Sequence, residues 1–187
     1  GCPLNCEFCA ASVRITSSYQ QKPIEKVVRE IQIARATTRQ PFFELADDNT
    51  FVNKKWAKAF LRAVGPLGIR WFTETDISIA DDEELLDLLA DSGCRQVLIG
   101  LESPDADGLD GLDPHNWKKQ RCGRYLEAID RIQSRGVSVN GCFIIGLDNH
   151  TPDVFERVRD FVSASGLLEV QVTVQTPFPN TPLYHRL

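Results

Sequence analysis

Apolar positions along this 187-residue chain switch repeatedly between helical and strand-like spacing, and the switches mark out its elements. Ile24, Val27, Val28, Ile31 and Ala34 recur every three or four residues behind Pro23, which suits a first helical turn. That helix is predicted to end near Arg39-Gln40, because Pro41 disfavours helical backbone just before it. Phe42 to Ala46 is nearly continuous in apolar character and predicts a buried strand, closed by Asp47-Asp48-Asn49. Lys54 to Val64 returns to helical spacing through Trp56, Phe60, Leu61 and Val64, and Gly65-Pro66 stops it. A strand over Ile69 to Thr75 follows, ending in Asp76. Asp81, Asp82, Glu83 and Glu84 open a third helix, where acidic side chains suit the positive end of the helix dipole. Leu85, Leu86, Leu88 and Leu89 form its apolar face and Gly93 its cap. Then come a strand over Gln96 to Leu101, an Asp- and Gly-rich loop to about Asn116, a helix over Trp117 to Ser134 and a strand over Val137 to Ile145. A last helix, Pro152 to Ala164, has Val154, Phe155, Val158, Phe161 and Val162 as its core face. It leads to a strand over Leu168 to Val174 and a Pro-rich tail.

Unbroken alternation of strand and helix predicts one α/β domain with a parallel sheet and helices packed outside it. Periodicity alone leaves an open sheet and a barrel as alternatives, although no Gly-rich phosphate loop of the dinucleotide-binding type is present. In barrel-like α/β folds the chemistry lies at the C-terminal strand ends. Those ends supply Asp47-Asp48-Asn49, Thr75-Asp76, Glu102-Ser103, Gly146 with Asp148, and Gln175-Thr176. Any one of these serves equally well as a cap for the helix that follows, and Asp81 and Thr151 read as caps alone. Glu102 fits a cap least, since it extends an apolar run and is followed by Ser-Pro.

Composition narrows the function. A net charge of -5 gives no basic face for nucleic acid. No apolar run approaches the ~20 residues of a membrane span, and no signal peptide is evident. Three of the six cysteines fall within the first nine residues, which favours a metal site in a reducing compartment, the cytoplasm, over a disulfide framework. Methionine is absent and the chain begins one residue before the cysteine cluster, so it is expected to be part of a longer polypeptide.

Cys2, Cys6 and Cys9 are spaced C-x3-C-x2-C. Three thiolates in one short loop can converge on a soft metal centre, and a cluster held by three rather than four keeps one iron open. The same positions also share a helix face, so a buried apolar stripe is an alternative, but Pro3 and Asn5 oppose a helix. Structural zinc is another, but no second ligand pair follows. With Phe8 before the last cysteine, the motif resembles the signature of the radical S-adenosylmethionine (radical SAM) superfamily.

That resemblance implies a partial (β/α)6 TIM-like barrel whose first strand lies upstream of Gly1, a [4Fe-4S] cluster on Cys2, Cys6 and Cys9, and S-adenosylmethionine (SAM) on the open iron. It implies reductive cleavage of SAM to a 5′-deoxyadenosyl radical that abstracts a substrate hydrogen, with the electron coming from a flavodoxin- or ferredoxin-type donor. Asp47 and Asp48 occupy the place of the family's Gly-Gly-Glu stretch, beside the methionyl amino group. Gly100-Leu101-Glu102-Ser103 resembles its G-x-E-S segment, beside the ribose or methionyl part. Phe143-Ile144-Ile145-Gly146 resembles the stretch packed on adenine, which the Phe8 backbone also meets. Gly93-Cys94-Arg95 and the tail Pro177-Phe178-Pro179-Asn180-Thr181-Pro182-Leu183-Tyr184 look most like the cobalamin-binding subgroup, many of whose members methylate unactivated carbon or phosphorus. That subgroup's tail has Gly where Asn180 stands, a turn position that tolerates either. The resemblance implies a small-molecule substrate, with cobalamin held by a domain outside these residues. Methylthiolation, another radical SAM reaction, or a non-catalytic iron–sulfur module stand as alternatives.

The remaining candidates read as structural. Cys94 and Cys142 are expected in the core, and Cys122 is ambiguous. His115, His150 and His185 lack metal-ligand spacing. Arg14, Tyr19 and Tyr184 are placed where a substrate could be approached, without a spacing argument for any of them.

Overall fold

The computed structural model describes residues 2–12, 19–38 and 41–187. Arg14 and the expected helix end at Arg39-Gln40 lie outside them.

Five strands form one sheet: β1 (Phe42–Leu45), β2 (Arg70–Thr75), β3 (Cys94–Glu102), β4 (Ser138–Ile145) and β5 (Glu169–Val174). They lie in sequence order and every neighbouring pair is parallel. A doubly wound sheet reverses direction part-way. Here each crossover steps the same way, and because such crossovers are right-handed, the helices gather on one face. The result is an open five-stranded parallel sheet of the partial-barrel kind, with β1 and β5 as its edges.

The helices are α1 (Ile24–Thr37), α2 (Lys54–Val64), α3 (Glu83–Asp91), α4 (Trp117–Arg121), α5 (Tyr125–Gln133), α6 (Val154–Ser165) and α7 (Pro182–Arg186). Asn53 starts α2, its side chain accepting from Trp56 N at 3.1 Å, and Ala57, Phe60, Leu61 and Val64 are buried on one side of that helix. Trp71 of β2 is fully buried, meets Phe60 edge-on and donates from Nε1 to Ser92 O at 3.0 Å. Phe143 of β4 packs against Phe161 of α6. Strand alternation therefore turns Trp71 and Phe143 to the helices, and Phe72, Glu74, Asn140 and Cys142 to the opposite face.

Several expectations are corrected. Phe42 to Ala46 is not a buried strand: β1 is an edge, and Phe42 is 55% exposed, stacked on Phe72 of β2 across the helix-free face. The helix expected over Trp117 to Ser134 is interrupted by a 3-10 turn at Cys122–Arg124, where Gly123 weakens the run. Asp82, not Asp81, caps α3 by accepting from Leu85 N, while Asp81 pairs with Arg124 at 3.4 Å. Asp153, not Thr151, occupies the N-cap of α6. Phe155 is exposed, because the buried face of α6 runs through Val154 and Val158, with Phe161 packed partly buried against the core. Cys94 is buried as expected, Cys122 is buried, and Cys142 is half-buried on the helix-free face.

Candidate functional site

Residues 2–9 form an irregular turn rather than a helix, which removes the apolar-stripe alternative. Asn5 takes the left-handed conformation (φ 54°) and its side chain donates to Pro3 O at 3.1 Å. Cys9 N donates to Cys6 O at 3.1 Å, folding the second half of the motif into a tight turn. Glu7 anchors the loop on two sides. Its N–H donates to Leu112 O and its carbonyl accepts from Leu183 N, both at 3.0 Å. Its carboxylate is gripped by Arg186, at 2.7 and 3.2 Å, and Arg186 also meets Asp148 at 2.8 Å. The loop is thus held between the segment after β3 and the C-terminal helix α7.

Cys6 is buried, Cys2 and Cys9 half-buried, and Phe8 packs partly buried against the core. Burial pushes the Cys6 thiol up to about 12, with the Lys118 charge pulling the other way. A thiol held that high becomes a thiolate ligand when a metal displaces its proton. Among the described residues no three His, Cys, Asp or Glu side chains are gathered as one metal ion requires. The donor set, three soft sulfurs on one anchored loop, fits an iron–sulfur cluster, in which each thiolate binds a different iron.

The strand ends bring some expected residues together. After β1, Asn49 is buried, donates from Nδ2 to Asp76 Oδ2 at 2.8 Å, and stands 3.8 Å from the Cys2 sulfur. Asp76 also caps the turn after β2 by accepting from Ser78 N at 2.8 Å. Asp47 and Asp48 lie on the same rim. Burial, then the charges of Asp48, Glu44 and Asp47, raises the Glu74 carboxyl above its ordinary value. Tyr19 sits within electrostatic reach of Asp47 and Cys2, its phenol raised first by burial.

The end of β3 is built differently. A bulge between Gly100 and Glu102 leaves Glu102 in the left-handed conformation (φ 65°) and buried. Its Oε1 lies 3.1 Å from Lys118 Nζ. Burial alone would lower the Lys118 ammonium, but Glu102 and then Cys6 outweigh it and raise it. Ser103 faces His150: the two side chains meet at 3.2 Å through Nε2. Gly146 N donates to His150 Nδ1 at 3.3 Å, so Nε2 carries the proton and donates to Ser103. The ends of β3 and β4 are clamped through one neutral imidazole. Gly146 adopts φ 96°, which only glycine takes readily, and Ile144 points away from the helices two residues earlier.

Sequence reasoning missed three participants. Lys118 was hidden in a run of polar residues on a predicted helix. His150 lacks metal spacing and works as a clamp instead. The Glu7–Arg186 pair joins residues 179 apart, a distance at which local pattern carries no signal. Asn180, by contrast, takes the left-handed turn conformation (φ 66°) that its place in the tail motif implied.

A model of the radical SAM superfamily matches residues 1–162. Bacteriochlorophyllide d C-12(1)-methyltransferase of Chlorobaculum tepidum is 26% identical over the whole chain, which covers 41% of that protein. Hopanoid C-2 methylase of Rhodopseudomonas palustris is 27% identical over the whole chain, covering 36% of its length. The chain thus spans less than half of these relatives. Among solved structures, the radical SAM methyltransferase TsrM of Kitasatospora setae, with cobalamin and a [4Fe-4S] cluster bound, superposes with a TM-score of 0.82 at 21% identity. That alignment covers 98% of this chain and 37% of TsrM. The chain belongs to the radical SAM superfamily.

Proposed function

We propose that these residues form the core of a radical SAM enzyme that methylates a small-molecule substrate with the help of cobalamin. The observation that carries this reading is the anchored loop presenting Cys2, Cys6 and Cys9 beside the C-terminal strand ends. In it, the three cysteines hold a [4Fe-4S] cluster and leave one iron for SAM. When bound, the cluster and SAM supply one-electron reduction and a 5′-deoxyadenosyl radical able to remove a hydrogen atom.

The chain's own residues then have separable tasks. Glu7, pinned by Leu112, Leu183 and Arg186, fixes the loop so that the sulfurs keep their places. Asn49 ties that loop's Cys2 to the end of β2 through Asp76. Asp47 and Asp48 offer carboxylates for the methionyl ammonium of SAM. Ile144 and Gly146, with the Phe8 backbone, offer an apolar surface and a side-chain-free edge for adenine. Ser103 and His150 hold the β3 and β4 ends at a constant separation. Glu102 is assigned to the ribose or methionyl side by its motif, through whichever part of its carboxylate Lys118 leaves available.

Methylation and cobalamin are supported by the names of the relatives and by the fold shared with TsrM. Cobalamin would be held by a domain outside residues 1–187, and the electron would come from a flavodoxin- or ferredoxin-type donor in the cytoplasm. No helix among the described residues is long and apolar enough to cross a membrane.

The test uses the longer native polypeptide, purified without oxygen and reconstituted with iron and sulfide. With SAM and a strong reductant, 5′-deoxyadenosine should form and should disappear in Cys9→Ala. A cluster that reduces but leaves SAM intact, with no spectral response to it, would instead identify an electron-transfer or structural module.

A further inference from the structure

Asn49 is out of water, at 2% exposure, and its amide is committed atom by atom. An asparagine amide has one oxygen that accepts and two N–H groups that donate. Oδ1 accepts from Thr75 Oγ1 at 3.4 Å. One N–H goes to Asp76 Oδ2 at 2.8 Å. A carboxylate only accepts, so this contact fixes which end of the amide is nitrogen. The other N–H is left for the Cys2 sulfur, 3.8 Å from Nδ2. Asp76 is itself held, since its Oδ1 accepts from Ser78 N at 2.8 Å. The loop carrying Asn49 is held too, because Thr50 N donates to Glu74 O at 3.1 Å. Joining the ends of β1 and β2 needs only the bonds to Thr75 and Asp76. The donor that faces sulfur has no part in that task.

We propose that Asn49 is a positioning residue that donates an N–H···S hydrogen bond to Cys2 and so raises the reduction potential of the cluster held by Cys2, Cys6 and Cys9. This inference rests on the cluster reading above. Hydrogen bonds to the ligating sulfurs are among the factors that set cluster potentials. Reduction adds one electron, supplied by an external one-electron donor, and places more negative charge on the sulfurs. No proton moves, and the amide keeps both of its hydrogens. A hydrogen bond strengthens as its acceptor gains charge, so this one favours the reduced state. The donor is buried and already aimed, so no water competes with it and nothing has to reorganise as the electron arrives. Asp76 aims the amide, while the charge of its carboxylate opposes the added electron.

The experiment is a redox titration of the reconstituted holoprotein, followed by electron paramagnetic resonance without SAM, with iron counted in each sample. Asn49→Leu keeps the bulk of the side chain and removes the donor, and its midpoint should be more negative than that of wild type. Adding Asn49→Leu to Asp76→Asn separates the donor from the carboxylate, and the same negative step should appear in that background. A role confined to joining the strand ends would alter stability or iron content and leave the midpoint of the loaded cluster where it was. Midpoints that stay or move positive in both comparisons would therefore overturn the proposal. Should neither Leu variant retain iron, protein with native Asn49 decides. Asparagine carrying the heavy nitrogen isotope in its side-chain amide would be incorporated into an Asn5→Gly variant. Glycine readily takes the left-handed turn at that position (φ 54°) and removes the other amide of the cysteine loop. The reduced cluster should then show a hyperfine coupling to the labelled nitrogen, and its absence is fatal. A wild-type protein that takes up no cluster would sink the functional reading itself, a result distinguishable from a loaded cluster whose potential ignores Asn49.

Discussion

Glu102 and Glu74 are acidic residues near the C-terminal ends of adjacent strands, yet their surroundings are opposite. Glu102 lies in the middle of the sheet, buried and matched to a lysine. Glu74 lies one strand nearer the edge, where Asp48, Glu44 and Asp47 crowd it with like charge. The central end is internally neutralised and clamped to its neighbour by His150. The outer end instead sets Glu74 among carboxylates that, with burial, hold its own carboxyl above the ordinary value. The two ends thus meet the cost of an acid out of water differently, one by a paired lysine and the other by holding its proton more tightly.

The largest expected effect removes the reason for the rim. Cys6→Ala should lose the cluster's iron and visible absorption, and a variant with full iron content would refute the ligand assignment. Next, Lys118→Met leaves Glu102 buried without a partner and should cost about 3–5 kcal/mol of stability. Adding Glu102→Gln should restore most of that, as urea unfolding of the apoprotein would show; equal losses in the single and double variants would mean that the pair is not coupled. At the outer end, Glu74→Gln should raise the urea midpoint at pH 7, because it removes a charge that its neighbours repel. No change would place Glu74 outside their influence.

The smallest effect is a contrast in sign. Glu74 has a raised pKa in the fold, so the folded state holds more protons than the unfolded one above about 4.5, and stability there grows as pH falls. His150 is lowered by burial, with Asp105 opposing and Arg157 reinforcing, so the unfolded state holds more protons just below 6.5. Stability at that clamp is present above 6.5 and lost as pH falls. Between pH 7 and 5, amide protection relative to the intrinsic exchange rate should rise near Glu74 and fall near Gly146. Movement in the same direction at both places would remove the contrast.

The architecture was largely legible because it rests on local patterns. Lys54–Val64 is a helix with the expected bounds, and five strands alternate with helices as their spacing requires. Burial across the sheet was not legible, since whether Phe42 lies at an edge depends on what pairs with it. The cysteine motif was readable because Cys2, Cys6 and Cys9 fall within eight residues of one short loop, whatever the rest of the fold does. The Glu102–Lys118 pair was not, because a bulge and a long loop set which atoms meet. His150 was screened for metal binding, and only the approach of β3 to β4 gives it another use.

The grip of Arg186 on Glu7 gives the site a place in time. During synthesis the cysteines emerge first, while the helix that steadies their loop emerges 179 residues later. At roughly 5–20 residues per second the loop stays without that anchor for on the order of ten seconds or more. A machinery that loads iron and sulfide onto the nascent chain would meet three mobile thiols, whereas one acting after release would meet a prepared socket. A chain truncated before α7 would keep Cys2, Cys6 and Cys9 and the Glu7–Leu112 contact but lose the Leu183 and Arg186 anchors of their loop.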